Sequence, residues 1–438
     1  MLTEIYWWLY VRRNRLLRFW RELDRFESLP AAAARRDLGE RLLEQVRYFG
    51  RREDALPEWR EAASIRDAEE LWRVWPSLPV VTKSDLVRRF DPREMAARFG
   101  LKGKINSTGG STGEPTFFFH DEEMTALSVA TSVYGWRRMG WRPGMTVVCI
   151  WGSDRDIGKT QQGRSRWLTR ARNEVVLPGY ELSQTTADRV MEEIRGHRKV
   201  AIFGFTSLLE GIARLVLERG GAPEPGRVCT AWNGGEMLFD SQSEIFRQAF
   251  GVPILNCYGG RELSVMAYQP AGSAKLNLVR PFLFAEILGE DGRPAGPGES
   301  GRLVLTSTIC RGTPFLRYEV GDMATYSAGD RDESGIRRLR EIQGRTAGLL
   351  RLPGGKTINC LYWNHLFKEF PEVRQFQVAV RGGTALEIRL RGTVFAAERE
   401  AHLRHVIGEF TGGMPVAVTW VEQIPLTRQG KLVQVVRE

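Results

Sequence analysis

The sequence predicts an α/β protein with a largely parallel sheet, followed by a small α+β domain. Two short apolar segments bounded by turn residues, Thr146–Trp151 and Lys199–Phe203, are typical of buried strands. A helical pattern follows the second segment at Leu208–Glu218, and such alternation of strand and helix favours a parallel sheet. The chain has 438 residues, more than one hydrophobic core usually serves, so two or three domains are expected.

Three regions of different composition define the expected domains. Residues 1–75 are rich in Arg, Glu, Leu and Ala, and predict a helical N-terminal extension. Residues 76–344 carry the α/β pattern and, within 282–308, two strands joined by a Gly/Pro loop, which predicts an antiparallel pair. Residues 345–438 predict the α+β domain, with a hairpin around Gly382-Gly383, a helix over Phe395–Phe410 and a last strand over Val416–Val421.

The composition limits the expected partners and compartment. The formal net charge is +10, which suits anionic small molecules such as ATP and coenzyme A. The basic residues are spread along the chain without a recognisable nucleic-acid-binding module, so no nucleic-acid partner is expected. The five cysteines are far apart and form no CxxC pair, so neither a disulfide framework nor a structural zinc site is expected. A reducing cytoplasm fits best.

The N-terminus combines the apolar run Ile5–Val11 with arginines at 12, 13, 15 and 18. The run is far shorter than the ~20 residues that span a bilayer, and no signal-peptide pattern surrounds it. It predicts an aromatic, basic amphipathic helix, not a membrane span. Three roles stay open at this point: packing on its own domain, packing on a second copy in a homodimer, or contact with a membrane surface.

The segment Asn106–Pro115, NSTGGSTGEP, has three glycines and four hydroxyl residues in ten positions. Glycine allows the backbone N–H groups to approach phosphate oxygens, and Ser and Thr add hydroxyl donors. The segment is therefore a candidate phosphate-binding loop, although its composition alone also suits a flexible polar loop.

Five segments resemble, in order, the motifs of the adenylate-forming superfamily of acyl-CoA synthetases and carrier-protein adenylation domains. They are NSTGGSTGEP, Asn256–Glu262 (NCYGGRE), Phe315–Asp322 (FLRYEVGD), Gly344-Arg345, and Pro425–Lys431 (PLTRQGK). Residues 78–86 (LPVVTKSDL) and 140–145 (GWRPGM) are similar to the phenylacetate–CoA ligase group. The resemblance covers about residue 75 onward.

This resemblance implies a large multi-layer N-terminal adenylating domain and a small, mobile C-terminal domain. It implies a ligase that uses ATP and Mg²⁺ to convert a small carboxylic acid to an acyl-AMP, and then transfers the acyl group to coenzyme A. The implied phosphate contacts are Ser107, Thr108, Gly109, Gly110, Ser111, Thr112 and Gly113. The implied adenosine contacts are Gly234, Gly235, Glu236, Asn256, Cys257 and Tyr258 for adenine, and Asp322 for the ribose.

Three further residues receive chemical roles from the resemblance. Glu262 would be a ligand of Mg²⁺, since a carboxylate suits this hard cation. Arg345 would contact the nucleotide from the hinge. Lys431 would stabilise the charge that develops on the α-phosphate during adenylation. The chain has only nine lysines, so a lysine within P-x-T-x-x-G-K is informative.

The acyl pocket has five aromatic candidates, which favour a flat, aromatic acid as the substrate. The same large side chains equally suit a hydrophobic core. The candidates are Tyr134, Trp136, Trp151, Phe205 and Trp232.

The hinge departs from the family pattern G-R-x-x-D, followed three residues later by lysine. Gly348 stands at the aspartate position and Arg351 at the lysine position. Two alternatives to the coenzyme A ligase therefore stay open. One is a biosynthetic enzyme that transfers the acyl group to an amine or a carrier-protein thiol, and the other is a non-catalytic scaffold relative.

Overall fold

The structure is a computed structural model with two compact units. One unit comprises Met1–Val320 and Ala324–Ile342, and the other comprises Gly321–Met323 and Gln343–Glu438. The structure describes residues 2–13, 16–107, 117–151, 169, 171–178, 184–326, 339–345, 350–351, 357–358, 363, 366–367, 369–370, 372–424 and 433–437.

The N-terminal region is helical, as the sequence predicts. In α2 the buried side chains recur at the spacing of one helix face, at Leu16, Phe19, Trp20, Leu23 and Phe26. The helices are α1 Leu2–Arg13, α2 Leu16–Glu27, α3 Ala31–Gly50, α4 Pro57–Ala62, α5 Ala68–Val74, a 3₁₀ turn Trp75–Ser77, α6 Lys83–Arg89 and α7 Pro92–Arg98.

Helix α1 packs on its own unit. The Trp7 side chain is buried and meets Trp141 edge to face, with ring centroids 5.1 Å apart. Trp8 and Leu9 are each 53% exposed, and the Arg12 guanidinium lies over the Trp8 ring. One face of the helix is therefore part of the core. The described residues include no helix long and apolar enough to cross a membrane.

A hairpin and a long helix follow. Strands β1 Gly103–Ser107 and β2 Phe117–Asp121 pair antiparallel over their full lengths. Helix α8, Glu122–Arg138, begins at once, because the Asp121 carboxylate accepts the Met124 N–H at 2.8 Å and caps the helix.

The central sheet is parallel, as the sequence predicts. Its strands lie in the order β4-β3-β5-β6-β7. They are β3 Thr146–Trp151, β4 Glu174–Pro178, β5 Val200–Gly204, β6 Val228–Asn233 and β7 Ile254–Leu255. Helices α9 Gln184–Gly196, α10 Thr206–Glu218 and α11 Asp240–Phe250 lie between these strands in the chain.

Successive residues of a buried strand point to opposite faces, and two separate cores result. One, the aromatic core, includes Val147, Ala201 and Trp232 from the sheet, together with side chains of α2 and α8. The other, the aliphatic core, includes Val148 and Ile202 from the sheet and side chains of α9, α10 and α11.

Antiparallel strands complete the first unit and lead to the second. Strands β8 Cys257–Gly260, β9 Ser264–Tyr268 and β10 Asn277–Leu278 form one sheet. The predicted pair in 282–308 is confirmed as β11 Leu283–Leu288 and β12 Ser300–Ser307, and the order continues with β13 Tyr318–Tyr326 and β14 Leu339–Arg345.

The second unit is α+β, and the predicted hairpin, helix and strand over Val416–Val421 are confirmed, but that strand is not the last, because the strand Val435–Arg437 follows it. Gly382 and Gly383 both have positive φ and turn the hairpin between β17 and β18. The elements are β15 Leu350–Arg351, β16 Thr357–Ile358, β17 Val373–Arg381, β18 Ala385–Gly392, α12 Ala397–Phe410, β19 Val416–Trp420 and β20 Val435–Arg437. The main sheet has the order β19-β18-β17-β20.

The three-part division at residues 75 and 344 stays a prediction. Residues of α1, α2 and α3 belong to the aromatic core that also contains residues far along the chain, among them Trp141 and Phe282. The N-terminal helices therefore share a core with the parallel sheet.

Candidate functional site

The carboxyl ends of β5, β6 and β7 form an edge that one buried amide organises. The Asn233 amide nitrogen donates to the Thr206 hydroxyl and to the Glu236 carbonyl, both at 2.9 Å. Its oxygen accepts the Cys257 N–H, also at 2.9 Å. Asn233 is fully buried, so these bonds hold three loops in one arrangement at the sheet edge where α/β proteins usually bind ligands.

The predicted turn Gly234-Gly235-Glu236 is fixed at this edge from two sides. The Gly234 N–H donates to the Gly204 carbonyl at 3.0 Å, and Gly235 has a φ of 73°, which favours glycine. The Glu236 carboxylate accepts the Ser207 N–H at 2.8 Å and the Ser207 hydroxyl at 3.1 Å. The Glu236 carboxylate thus supports the turn by binding the start of α10.

The second predicted adenine segment, residues 256–258, lies beside this turn. The Asn256 N–H donates to the Gln269 side chain at 3.0 Å, and Tyr258 is half-buried opposite Ala267 in the next strand. Burial raises the pKa of the Cys257 thiol to about 12, so this cysteine is a neutral packing residue. The structure therefore brings both predicted adenine segments together through Asn233.

The base of the predicted phosphate loop is a five-pair antiparallel ladder. Ser107 pairs with Phe117, so the chain enters and leaves residues 108–116 at adjacent positions. Ser107 is half-buried at the end of β1. The predicted contacts Thr108, Gly109, Gly110, Ser111, Thr112 and Gly113 lie outside the described residues, and their role stays a prediction.

One histidine joins this ladder to the segment that carries Glu262. His120, in β2, is 3% exposed, and its Nε2 lies 2.7 Å from the Glu262 carbonyl oxygen. Its Nδ1 lies 3.0 Å from the Asn106 amide nitrogen. Because a carbonyl only accepts, Nε2 carries the proton and Nδ1 accepts from Asn106. Burial lowers the pKa of His120, which agrees with the neutral ring.

A weaker contact supports the same neighbourhood. The Arg261 guanidinium reaches the Ser107 carbonyl at 3.5 Å. Ser107 and Glu262, predicted as phosphate and magnesium contacts, thus lie in adjoining segments. The sequence analysis did not select His120, and the one signal it offered was a polar residue that ends the apolar run TFFF.

Glu262 is half-buried, and its side chain lies beside Gly260. In the part of the chain that the structure describes, no three His, Cys, Asp or Glu side chains are grouped to hold a metal ion. Mg²⁺ commonly takes one or two protein carboxylates with substrate phosphate oxygens and water. A single carboxylate near the base of the predicted phosphate loop therefore fits a magnesium ion that arrives with a nucleotide.

The element FLRYEVGD contributes a structural arginine as well as the predicted Asp322. Arg317 is 2% exposed, and its guanidinium pairs with both carboxylate oxygens of Glu286 at 3.0 and 3.1 Å. It also donates to the Pro76 and Leu78 carbonyls. Every partner is buried or main-chain, so Arg317 holds β13 against the segment before α6.

The three remaining polar predictions are described only in part. Asp322 is half-buried within β13. Arg345 ends β14, but its side chain lies outside the described residues. Lys431 and Gly348 lie outside them entirely, and Arg351 is described only as a strand residue.

The aromatic pocket candidates do not line one surface. Trp136 and Trp232 lie together, with ring centroids 5.8 Å apart. Tyr134 packs on Tyr268 instead, and its hydroxyl donates to Asp24 at 2.7 Å. Phe205 belongs to the aliphatic core, on the opposite face of the sheet from Trp232.

These positions bear on the pocket prediction. Phe205, Tyr134 and Trp232 are buried core residues. Trp151 ends β3, and its side chain lies outside the described residues. A substrate role for any of the five stays a prediction, and the closest pair for it is Trp136 with Trp232.

Comparisons with known proteins agree with this architecture. No protein-family model matches the chain. The chain is 26% identical over 351 residues to the phenylacetate-coenzyme A ligase of Thermus thermophilus. The match covers 75% of this chain and 74% of that protein.

Solved structures share the fold at lower identity. A 2-hydroxyisobutyryl-CoA ligase in the postadenylation state, in complex with 2-HIB-AMP, has a TM-score of 0.70 at 18% identity, over 95% of this chain and 92% of that chain. ATP-bound MatB from Rhodopseudomonas palustris has a TM-score of 0.55 at 16% identity, over 75% of this chain and 66% of that chain. The chain is therefore similar in sequence to a phenylacetate-coenzyme A ligase, and it shares its fold with acyl-CoA ligases that form acyl-AMP.

Proposed function

We propose that the chain is an ATP-dependent ligase that activates a small aromatic carboxylic acid and transfers it to coenzyme A. A carboxylate oxygen attacks the α-phosphorus of ATP, the bond to the bridging oxygen breaks, and pyrophosphate leaves with acyl-AMP as the other product. The thiol sulfur of coenzyme A then attacks the acyl carbon, and AMP leaves.

The observation that carries this proposal is the pair of supported sites in one unit. The Asn233 network holds the turn and strand predicted to contact adenine, with three bonds of 2.9 Å. The β1–β2 ladder holds the base of the predicted phosphate loop next to the Glu262 segment. A site that is fixed before binding gives a nucleotide its orientation at little further entropic cost.

The residues of the two sites have different proposed roles in binding the nucleotide. Gly234 to Glu236 and Asn256 to Tyr258 would bind the base, and Asp322 would accept hydrogen bonds from the ribose. Ser107 and the glycine-rich residues after it would bind the phosphates. Glu262 would hold Mg²⁺, which supplies positive charge at the phosphate oxygens when bound.

Lys431 and Arg345 would act where negative charge develops. A cation near the α-phosphate stabilises the transition state more than the ground state, because the charge on the phosphate oxygens rises as the carboxylate attacks. The choice of an aromatic acid rests on Trp136 and Trp232, whose rings lie together, and not on all five aromatic candidates.

The acceptor has a second candidate. The hinge carries Gly348 and Arg351 in place of the family's aspartate and lysine. An enzyme that transfers the acyl group to an amine or to a carrier-protein thiol would be compatible with this change. Both candidates share the first half-reaction, and only the second distinguishes them.

The first experiment is acid-dependent exchange of pyrophosphate into ATP across a panel of aryl and short-chain acids. We expect exchange with aryl acids, and we expect Lys431→Ala to reduce it by about 10²-fold or more, as loss of a transition-state contact does. Lys275→Ala, at an exposed lysine of the same unit as the sheet, is the matched control and should leave exchange unchanged.

The outcomes separate the candidates. Exchange with aryl acids followed by thioester formation on adding coenzyme A supports the ligase. Exchange without thioester formation supports the amine or carrier-protein acceptor. Absence of exchange with every acid would overturn the proposal and favour the scaffold.

A further inference from the structure

We infer that His120 is a positioning residue that fixes the Asn106 amide and the Glu262 main chain in the one arrangement that a magnesium–nucleotide complex requires. The inference rests on the proposed function, since it concerns the nucleotide site of that function. His120 itself is buried and does not contact a ligand in this role.

The geometry gives His120 two directed hydrogen bonds to described residues. Nε2–H donates to the Glu262 carbonyl at 2.7 Å, and Nδ1 accepts from the Asn106 amide at 3.0 Å. Both distances are those of well-formed hydrogen bonds. A neutral imidazole has one donor and one acceptor, so both are used.

The first bond acts on Glu262 through its main chain. Glu262 belongs to the connection between β8 and β9, and main-chain position decides where its carboxylate can reach. Mg²⁺ demands near-ideal octahedral geometry, so a small displacement of a ligand matters more for it than for a phosphate contact.

The second bond orients Asn106. Because the amide nitrogen donates to His120, the amide oxygen is directed away from the ring. Asn106 precedes Ser107, the last described residue of β1. The acceptor nitrogen of the His120 ring therefore sets the orientation of the Asn106 side chain, at the start of the candidate phosphate loop.

Packing holds the ring in place for both bonds. The Phe118 ring lies 4.9 Å from the His120 ring, and His120 pairs with Lys104 across the ladder. The adjacent Asp121 is engaged elsewhere, since its carboxylate accepts the Met124, Arg311 and Gly312 N–H groups. Among the residues that the structure describes, no carboxylate oxygen hydrogen-bonds to either ring nitrogen of His120.

Three variants separate the two bonds. His120→Gln places an amide donor near the position of Nε2 and retains the bond to Glu262. His120→Asn places an acceptor near Nδ1 and retains the bond to Asn106. His120→Phe retains neither and keeps the ring. Phe119→Leu is the matched control, because it changes a buried side chain on the same strand and leaves both hydrogen bonds and the Phe118 ring that packs on His120 in place.

The measurement is the affinity for ATP without any acid, once with excess Mg²⁺ and once with EDTA, together with the melting temperature. We expect His120→Phe to weaken binding of magnesium–ATP about tenfold, as the loss of two directed hydrogen bonds allows, and to weaken metal-free ATP less. His120→Gln should recover most of the magnesium-dependent part. Asn106→Ala should add little in the His120→Phe background.

The inference is overturned if His120→Phe and Phe119→Leu weaken the binding of magnesium–ATP equally at equal loss of melting temperature. It is also overturned if the magnesium and EDTA affinities fall together. If His120→Phe does not fold, the Gln and Asn variants decide the question in the same assay.

These results are distinguishable from failure of the proposed function. A wild-type chain that binds magnesium–ATP but exchanges pyrophosphate with no acid would fail as a ligase, while the role of His120 would still be read from binding. A wild-type chain that binds no magnesium–ATP would overturn both.

Discussion

The two faces of the parallel sheet are covered by different parts of the chain. The aliphatic core is built from Val, Ile and Leu of the sheet and from α9, α10 and α11, the helices that connect its own strands. The aromatic core is covered by α8 and by the N-terminal helices, and includes Trp20, Trp141, Trp232 and Tyr268. One face is assembled from neighbours in sequence, and the other depends on residues far away.

The difference shows why the N-terminal helices are part of the folding unit. The Trp20 indole donates to the Ala130 carbonyl across 110 residues of chain, at 2.9 Å and buried. Polar contacts at the margin of this core also join the N-terminal helices to distant residues, since Arg138 pairs with Glu27 and Tyr268 donates to Glu27. Without α1 and α2, a large aromatic surface of the sheet would face water.

The largest expected effect tests this dependence directly. Trp20→Ala removes a large buried ring and leaves the Ala130 carbonyl without its donor, so we expect a loss of about 4 kcal/mol in the free energy of unfolding. Leu209→Ala, in α10 on the aliphatic face, should cost about 3 kcal/mol. Denaturant unfolding of both variants gives the comparison.

Trp20→Phe serves as the control for Trp20→Ala. It keeps a six-membered aromatic ring but loses the pyrrole part of the indole with its N–H donor, so it should cost about 2 kcal/mol, less than Trp20→Ala. If Trp20→Ala costs clearly less than Leu209→Ala, α2 contributes little to the aromatic core and the comparison between the faces fails.

A second, smaller effect concerns Asn233, at the carboxyl edge of the parallel sheet. Asn233→Ala leaves the Cys257 N–H and the Thr206 hydroxyl without a buried partner, so we expect a loss of about 2 kcal/mol in stability and weaker ATP binding. Calorimetric unfolding and ATP titration report the two quantities.

Thr230→Val is the matched control on the same strand. It removes the hydrogen bond from the Thr230 hydroxyl to the Met139 carbonyl, away from the carboxyl edge. We expect it to lower stability without changing the affinity for ATP. Equal losses of affinity in both variants would mean that Asn233 acts through general stability alone.

The smallest effect is a pH dependence on the aromatic face. Burial raises the pKa of Glu174 above its usual value of 4.5, and the neighbouring Arg172 opposes the shift only in part. The native state therefore binds this proton more tightly than the unfolded state. The stabilisation is complete below pH 4.5 and is lost as the pH rises through the higher, native pKa.

Glu174→Gln should remove this contribution and flatten the dependence of stability on pH above 4.5. Urea unfolding of wild type and variant at several pH values between 4.5 and 7 provides the test. If the two curves stay parallel over that range, Glu174 does not titrate differently in the native state.

The sequence alone determined the elements whose signals are local. The strands at 146–151 and 200–204, the helix at 206–218 and the hairpin around Gly382-Gly383 follow from short-range periodicity and from glycine. The motifs, read in order, indicated the resemblance to the adenylate-forming superfamily. Motif positions depend on residue identity, which a sequence displays directly.

The tertiary structure decided which side chains share a surface. Phe205 and Trp232 are both aromatic candidates in sequence, but Phe205 immediately precedes α10 and belongs to the aliphatic core, while Trp232 lies in β6 and belongs to the aromatic core. Asn233, His120 and Arg317 carry no distinct local signal, because each has a partner far along the chain: 24 residues away for Asn233, 142 for His120 and 241 for Arg317. Their roles arise from hydrogen bonds that exist only once distant segments meet, and burial is what makes those bonds count.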